Sequence, residues 1–124
     1  MSFEVGISGS VRASHVMPGL PLPEGGPHSH DYRIRVTIEH DALDEAGMVI
    51  DLDALRRALG TTTAEIAGVD LGEHLQLEAV TVERFARWVH GRIGRALGEL
   101  PGATVRVRVW EGPEAFGGYS ASAG

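Results

Sequence analysis

Alternation of apolar and polar residues in three segments limits the folds open to this chain. In residues 28–40, HSHDYRIRVTIEH, the even positions carry His, Tyr, Ile and Val, and the odd positions carry arginines and other polar groups. Residues 3–15 place their apolar side chains at odd positions, and residues 103–111, ATVRVRVWE, alternate strictly. A period of two is typical of a strand with one buried face. The chain therefore contains at least three strands, and Gly6 and Gly9 predict a bulge or bend within the first.

Helical spacing occupies the middle of the chain. The segment DLDALRRAL, residues 51–59, predicts a short helix that begins at an aspartate cap and ends at Gly60. Residues 60–80 are ambiguous and favour at most a short helix over residues 63–67. A long amphipathic helix begins after Thr81, and the sequence ELPG ends it. Its apolar stripe consists of Val82, Phe85, Ala86, Val89, Ile93, Ala96 and Leu97.

Glycine and proline mark the connections. Residues 17–27 hold four prolines and three glycines and predict a loop. Residues 112–124 predict a turn and a tail that is flexible from about residue 117. The order of elements is β–β–α–(short)–α–β, and the first two strands form an antiparallel hairpin. This is an α+β pattern, and a chain of 124 residues is expected to form a single domain over residues 1–124.

Composition argues against several classes of function. The formal net charge of −6 argues against nucleic-acid binding, which requires a basic face. No apolar run is long enough for a membrane span, and the N-terminus lacks the features of a secretory signal. The chain has no cysteine, so disulfides and thiolate metal sites are excluded and a cytoplasmic location is expected. All eleven basic residues are arginine, which excludes a lysine Schiff base.

The six histidines fall into different classes. His28 and His30 are two residues apart on a predicted strand, so both imidazoles are expected on one face, about 7 Å apart along the strand. His15 ends the first strand on its apolar face. Three histidines from two neighbouring strands are typical of a catalytic zinc site with one open position. Spacing alone leaves two interpretations open, zinc ligands or polar residues at strand ends. His40 and His90 are expected to be structural or solvated.

Six motifs, in order, resemble those of one enzyme family. They are ASH at 13–15, HSHDY at 28–32, GMVIDLDAL at 47–55, EHLQLE at 73–78, VTVERFARWV at 80–89 and VWEG at 109–112. The chain thereby resembles, from about Val11 to Tyr119, the 6-pyruvoyl-tetrahydropterin synthase / 6-carboxy-tetrahydropterin synthase family. These are the zinc enzymes of biopterin and queuosine-precursor synthesis. The resemblance implies the T-fold, an antiparallel sheet with two helices on one face. It also implies a homo-oligomer, a tetramer or hexamer that forms a barrel with active sites between subunits.

The resemblance implies that His15, His28 and His30 bind Zn²⁺. The metal would ligate the hydroxyls or carbonyl of a pterin's side chain, acidify the adjacent C–H and stabilise the resulting enolate. Glu111 resembles the family's glutamate that accepts hydrogen bonds from the N–H groups of the pterin. The implied activity is that of a zinc-dependent carbon–oxygen or carbon–carbon lyase. Its expected substrate is a dihydropterin such as 7,8-dihydroneopterin triphosphate.

Four more residues occupy positions of the family's motifs. His74 is expected to be a general acid/base, and Glu73 stands where the family has an aspartate that orients it. Thr81 and Glu83 are first of all helix-cap residues. For both, the resemblance adds a contact to substrate or to the neighbouring subunit as an alternative.

The main departure from the family is the missing cysteine. Typical members carry a cysteine four to six residues before the paired histidines, where it removes a proton from the substrate's side chain. Here Glu24 lies four residues before His28. It is either a loop acid in water or a carboxylate base that replaces the thiolate. Family variants with a glutamate near this place are associated with cleaving the dihydroneopterin side chain to give 6-hydroxymethyl-dihydropterin.

The departures keep two other functions open. One is a family member recruited to a different substrate in specialised metabolism. The other is a catalytically silent T-fold protein that retains zinc or a ligand for assembly or binding. In addition, a triphosphate would have to be recognised by arginines, because the chain has no lysine.

Overall fold

The computed structural model describes residues 1–123, which form a four-stranded sheet and three helices. The strands are β1 (Phe3–His15), β2 (His28–His40), β3 (Thr104–Trp110) and β4 (Phe116–Ser122). The helices are α1 (Leu52–Ile66), α2 (Leu71–Leu75) and α3 (Val82–Leu97). The strands pair in chain order, β1–β2–β3–β4, and every pair is antiparallel.

The β1–β2 hairpin is paired along its whole length. One residue of β1 faces one residue of β2 throughout, with His15 opposite His28 at the loop end. The predicted bulge at Gly6 and Gly9 is therefore wrong. A Cβ atom at Gly6 would lie 2.9 Å from the carbonyl oxygen of Val36, so this glycine permits a close approach of two strands. The hairpin itself and the loop at 17–27 agree with the sequence prediction.

The core lies between one face of the sheet and the helices α1 and α3. Alternation puts the apolar residues of β1, β2 and β3 on that face, while α1 packs on β1 and α3 packs on β3 and β4. The prediction of an antiparallel sheet with helices on one face is confirmed. The central buried side chains are Val11, Tyr32, Ile34, Val36, Ile38, Leu55, Ile66, Phe85, Val89, Ile93, Val105, Val107 and Val109.

Helix α1 is longer than the sequence predicts. It passes through Gly60 and ends at Ile66, so the short helix expected at 63–67 is mostly its last turn. A Cβ atom at Gly60 would meet nothing within 4 Å, so this glycine lies on the open side of the helix. The helix continues because Ile66 is fully buried and Thr62 is buried with its hydroxyl donating to the carbonyl of Ala58 at 2.8 Å.

Two elements were not predicted. Helix α2 begins after Asp70, whose carboxylate accepts a hydrogen bond from the N–H of Glu73 at 3.1 Å, and it ends at Gln76 in the left-handed conformation. The expectation of a flexible tail from about residue 117 is wrong, because β4 pairs with β3 along its length. No helix within residues 1–123 has the length and apolar composition needed to cross a membrane.

Candidate metal centre and active site

Three histidines meet at the loop end of the β1–β2 hairpin. One ring nitrogen from each of His15, His28 and His30 lies within 4.8 Å of those of the other two. The ring centroids are 4.4 Å apart for His15 and His28, and 5.0 Å apart for His28 and His30. His15 faces His28 across the strands, and His30 follows on the same face because side chains alternate. The structure thus brings the three expected ligands together, in a geometry that can hold a metal ion.

Backbone carbonyls orient two of the three rings. The Nδ1 atom of His15 lies 3.1 Å from the carbonyl oxygen of Val80, and that of His28 lies 2.9 Å from the carbonyl oxygen of Gly26. With Nδ1 protonated and donating to these oxygens, Nε2 is left free as a metal ligand. Burial lowers the pKa of His15, and this favours the neutral imidazole that a metal ion needs.

Tyr32 and Glu111 border this histidine cluster. The ring of Tyr32 lies 5.4 Å from that of His30, and its hydroxyl is buried without a hydrogen-bond partner among the described residues. A carboxylate oxygen of Glu111 lies 4.0 Å from Nε2 of His30. Burial and the Glu111 carboxylate raise the pKa of Tyr32, so its hydroxyl remains a hydrogen-bond donor. A buried donor without a partner costs about 1–3 kcal/mol of stability.

A cleft opens beside the cluster at the ends of β2 and β3. Its volume is about 440 Å³, and His30, Glu111, Arg33 and Trp110 are among the residues that line it. This size lies in the range of small-molecule sites. Glu111 is therefore accessible to a small ligand that also approaches His30.

His74 is held by a residue other than the expected one. Its Nε2 atom lies 2.7 Å from a carboxylate oxygen of Glu65 on α1. Arg92 on α3 donates to both oxygens of the same carboxylate, at 2.9 and 3.0 Å. Within residues 1–123 the carboxylate of Glu73 makes no hydrogen bond, and its backbone N–H is used in capping α2. The expected partner of His74 is thus corrected from Glu73 to Glu65.

The charges around Glu65 keep it ionised. Hydrogen bonds from Arg92 and His74 lower the pKa of Glu65 to about 2, and the same carboxylate raises the pKa of Arg92. Trp88 covers the group, with the guanidinium carbon of Arg92 4.7 Å from its ring centroid. Because Nε2 of His74 is engaged, the free nitrogen of its ring is Nδ1. Residues Glu65 and Arg92 escaped the sequence analysis, since α1 was expected to end before Glu65.

The remaining expected site residues lie at the surface. The hydroxyl of Thr81 accepts a hydrogen bond from the N–H of Arg84 at 3.2 Å, so Thr81 caps α3 as predicted. Glu83 lies exposed in the first turn of α3. Glu24 is exposed in the loop, and its carboxylate has no hydrogen-bond or ion-pair partner in the described part of the chain. Its backbone carbonyl accepts a hydrogen bond from the N–H of Met17 at 2.8 Å.

Two other histidines have structural contacts, in agreement with the sequence analysis. The Nε2 atom of His40 lies 3.0 Å from the carbonyl oxygen of Pro101, and its Nδ1 accepts from the N–H of Ala42 at 2.9 Å. The Nε2 atom of His90 lies 3.4 Å from the carbonyl oxygen of Ala121. The bonds to Pro101 and Ala121 join parts of the fold that are distant in sequence.

The sequence of this chain matches one known enzyme family. The family model for 6-pyruvoyl tetrahydropterin synthase matches residues 4–122, nearly the whole chain. The chain belongs to the 6-pyruvoyl tetrahydropterin synthase family. A sequence search against curated proteins gave no significant match.

Solved 6-pyruvoyl tetrahydropterin synthases share the fold of this family member. The enzyme of Caenorhabditis elegans aligns with a TM-score of 0.79 at 19% identity, covering 98% of this chain and 97% of that one. A catalytic-residue variant of the Plasmodium vivax enzyme aligns with a TM-score of 0.79 at 12% identity, covering 98% and 99%. The Plasmodium falciparum enzyme gives 0.77 at 11%, covering 98% of each chain. The T-fold prediction is confirmed, and at these identities the similarity concerns the fold alone.

The histidine cluster agrees with membership in the 6-pyruvoyl tetrahydropterin synthase family. Members of this family are metal-dependent lyases that act on pterins. Three histidine nitrogens within 4.8 Å of one another, beside a cleft that His30 lines, are a donor set that can hold a metal ion. The ring of Tyr32 lies next to that of His30, 5.4 Å away. The residues present therefore fit a metal ion.

Proposed function

We propose that this protein is a zinc-dependent lyase that acts on the side chain of a dihydropterin such as 7,8-dihydroneopterin triphosphate. The observation that carries the proposal is the convergence of His15, His28 and His30 to within 4.8 Å beside the open cleft. Three histidine nitrogens without a thiolate or a carboxylate favour Zn²⁺ with one exchangeable position. When bound, the ion supplies Lewis-acid polarisation of the substrate's side-chain oxygens.

Glu111 binds the ring system of the substrate in this proposal. Its carboxylate accepts two N–H groups from the guanidine-like edge of the pterin, a pairing that suits the geometry of a carboxylate. The distance of 4.0 Å between Glu111 and His30 supports it, because the ring would then lie next to the metal position. Thr81 and Glu83, at the start of α3, provide further substrate contacts.

His74 acts as the general acid/base. Its free Nδ1 atom exchanges a proton with the side chain of the substrate, while Nε2 remains hydrogen-bonded to Glu65. The ionised carboxylate of Glu65 fixes the orientation of the ring through its hydrogen bond to Nε2. Arg92 in turn holds Glu65 by two hydrogen bonds, so this role of Glu65 replaces the one expected of Glu73.

Glu24 is the proposed base that removes a proton from the substrate's side chain. Its carboxylate is exposed and unpaired among the described residues, so it is free to react. The Plasmodium vivax enzyme supports the idea, since two of its structures are variants in which a glutamate described as a catalytic residue is replaced by cysteine or alanine. A carboxylate base is compatible with cleavage of the side chain to give 6-hydroxymethyl-dihydropterin.

Assembly and location complete the proposal. Strands β1 and β4 are the edges of the sheet, and an open edge pairs readily with another chain. This supports a homo-oligomer, a tetramer or hexamer, in which active sites lie between subunits. We place the protein in the cytoplasm, because a chain without cysteine gains nothing from an oxidising compartment.

The decisive experiment is incubation of the zinc-loaded protein with dihydroneopterin and with its triphosphate, followed by identification of products by mass spectrometry. We expect loss or rearrangement of the substrate's side chain. The variant His28→Ala should form no product. If the zinc-loaded protein consumes neither compound, the proposed substrate is wrong. Turnover of another pterin would then favour recruitment to a different pathway, and retention of zinc without any turnover would favour a silent T-fold protein.

The role of Glu24 is tested separately. We expect Glu24→Ala to reduce turnover by about 100-fold or more, the usual contribution of a general base, without changing zinc content. Glu45→Ala, in the exposed connection between β2 and α1, is the matched control and should leave turnover unchanged. Equal turnover of both variants would identify Glu24 as a solvated loop acid.

A further inference from the structure

The sheet face that the helices leave open carries a cluster of arginines and aromatic rings. On β2 and β3, Arg33 faces Trp110 and Arg35 faces Arg108 directly across the antiparallel pair. Phe116 on β4 faces Trp110 in turn. These five residues are called the arginine–aromatic cluster below. They point away from the histidine cluster, because successive side chains of a strand lie on opposite faces.

The arginines of this cluster are stacked on its rings. The guanidinium carbons of Arg33 and Arg35 lie 4.7 and 5.2 Å from the centroid of Trp110, and that of Arg108 lies 5.6 Å from the centroid of Phe116. The two rings are themselves 5.1 Å apart. Within residues 1–123 the side chains of these three arginines form no hydrogen bond or ion pair, so their N–H donors remain free beside the rings. The stacking therefore fixes three cations while leaving their donors unused.

Carboxylates neutralise the flanks of this face but not its centre. Arg12 pairs with Asp31 at 3.0 Å, and Arg106 pairs with Glu39. The remaining acid on this face of β1 and β2, Glu4, lies opposite Glu39; it lines the same cleft as Arg35 but forms no ion pair with it. Within residues 1–123, none of the three arginines in the cluster has a carboxylate within ion-pair distance.

Repulsion between the arginines of this cluster lowers the stability of the folded protein unless a bound anion offsets it. Like charges directly opposite each other on neighbouring strands are destabilising, and Arg35 and Arg108 form such a pair. The neighbouring positions are small, since Ser8 faces Arg35 on one side and Gly118 faces Arg108 on the other. Each of the two arginines lines a cleft of its own, Arg35 together with Ser8 and Arg108 together with Gly118.

We propose that the arginine–aromatic cluster binds a small polyanion that carries two or more phosphate-type groups. Guanidinium groups match phosphate oxygens with paired N–H donors, and three of them lie around two neighbouring aromatic rings here without an ion pair to a carboxylate. A net charge of −6 on the chain disfavours a long nucleic acid, which would also meet the acidic remainder of the surface. Arg33 and Trp110 also line the cleft beside His30 and Glu111, so the cluster borders the proposed active site, but binding of a polyanion does not depend on the lyase chemistry.

The test is a calorimetric titration with inorganic tripolyphosphate at low ionic strength, together with the shift of the melting temperature. We expect binding that weakens steeply with added salt, as screening of charges requires. The double variant Arg35→Gln/Arg108→Gln should weaken it by about tenfold or more, because each hydrogen bond to a charged group contributes substantially. Its melting temperature without tripolyphosphate should not fall, since the like-charge pair is removed.

The matched control is Arg12→Gln/Arg106→Gln. It makes the same change in charge on the same face, but at arginines already paired with carboxylates. We expect it to change tripolyphosphate affinity by no more than about threefold, because only screened, longer-range attraction is lost. Equal loss in both double variants, or no binding of tripolyphosphate to the unaltered protein, would overturn the proposal. Tighter binding of a single-stranded oligonucleotide than of tripolyphosphate would overturn it in favour of a nucleic-acid surface.

The source of the phosphate groups is resolved by kinetics. If the cluster takes the tail of the substrate, Arg35→Gln/Arg108→Gln raises KM for dihydroneopterin triphosphate and leaves KM for dihydroneopterin unchanged. If it takes a free polyphosphate or nucleotide, both KM values stay the same while tripolyphosphate binding is lost. Both results support the site. Failure of the lyase proposal would leave the titration result intact, so the two proposals fail separately.

Discussion

The Nε2 atom of His74 lies 2.7 Å from the carboxylate of Glu65, so a hydrogen bond joins α2 to the last turn of α1. The same carboxylate accepts two hydrogen bonds from Arg92 on α3. One acidic side chain therefore connects all three helices and orients the histidine.

Replacing Glu65 by glutamine should lower the free energy of unfolding by an amount that depends on pH. Because the folded-state pKa of Glu65 is about 2, below its ordinary value of 4.5, the stabilisation is fully present above pH 4.5 and disappears as the pH falls toward 2. At neutral pH we expect a loss of about 1 kcal/mol, since the group is partly exposed. Urea unfolding at several pH values measures the difference.

Asp53→Asn on the same helix is the control for this measurement. Its partner, Arg56, lies 3.3 Å away in an exposed pair three residues along the helix. Such a pair contributes little. If both variants lose the same free energy of unfolding at neutral pH, Glu65 has no special role in holding the helices.

Metal binding should depend on His28. Zinc at 100 times its dissociation constant should stabilise the unaltered protein by about 2.7 kcal/mol. We expect His28→Ala to weaken zinc binding by more than about 100-fold, because losing a ligand costs more than losing the partner of one. Competition with a chromophoric chelator measures the affinity. His90→Ala, outside the histidine cluster, should bind as the unaltered protein does, and one zinc per chain retained by His28→Ala would exclude the three-histidine site.

Removal of the hydroxyl of Tyr32 should not destabilise the metal-free protein. The group is buried and has no hydrogen-bond partner within the described residues, so Tyr32→Phe removes a desolvated donor. We expect equal stability or a gain of up to about 1 kcal/mol in metal-free unfolding experiments. A loss of more than about 1 kcal/mol would mean that the hydroxyl has a partner in the folded protein.

Substitution of Gly117 tests whether β4 packs as a strand against the start of α3. A Cβ atom at this position would lie 2.5 Å from Cγ2 of Val82 and 3.3 Å from Cγ of Glu83. Gly117→Ala should therefore cost about 1–3 kcal/mol in thermal or urea unfolding. Gly91→Ala on α3, where a Cβ atom meets nothing within 4 Å, should instead stabilise by about 0.5–1 kcal/mol. A neutral Gly117→Ala would support a flexible tail.

Alternation predicted three strands well because burial on one face leaves a period of two in the sequence. The fourth strand was missed because FGGYSAS combines glycine and serine with few apolar residues, and its strand structure comes from pairing with β3. Helix α1 was predicted too short because Gly60 is typical of a helix end. Burial of Ile66 outweighed that local preference.

The candidate site was predictable where it depends on register within one hairpin. Alternation on two strands joined by a loop predicted that His15, His28 and His30 share one face, and the resemblance to a zinc-enzyme family implied that they bind a metal. The partner of His74 was not predictable, because Glu65 is brought to it by the full length of α1 and by the position of α2. Contacts between separate helices leave no periodic signal in a single sequence, and the neighbouring Glu73 was for that reason the natural but incorrect choice.

The positions of the site residues along the chain set an order for synthesis. All three histidines of the metal centre lie on the first two strands, so they have left the ribosome once residue 30 has emerged. The carbonyl of Val80 that orients His15 and the carboxylate of Glu111 follow much later. A nascent hairpin thus presents the three candidate ligands before the segments that carry Val80 and Glu111 have been made.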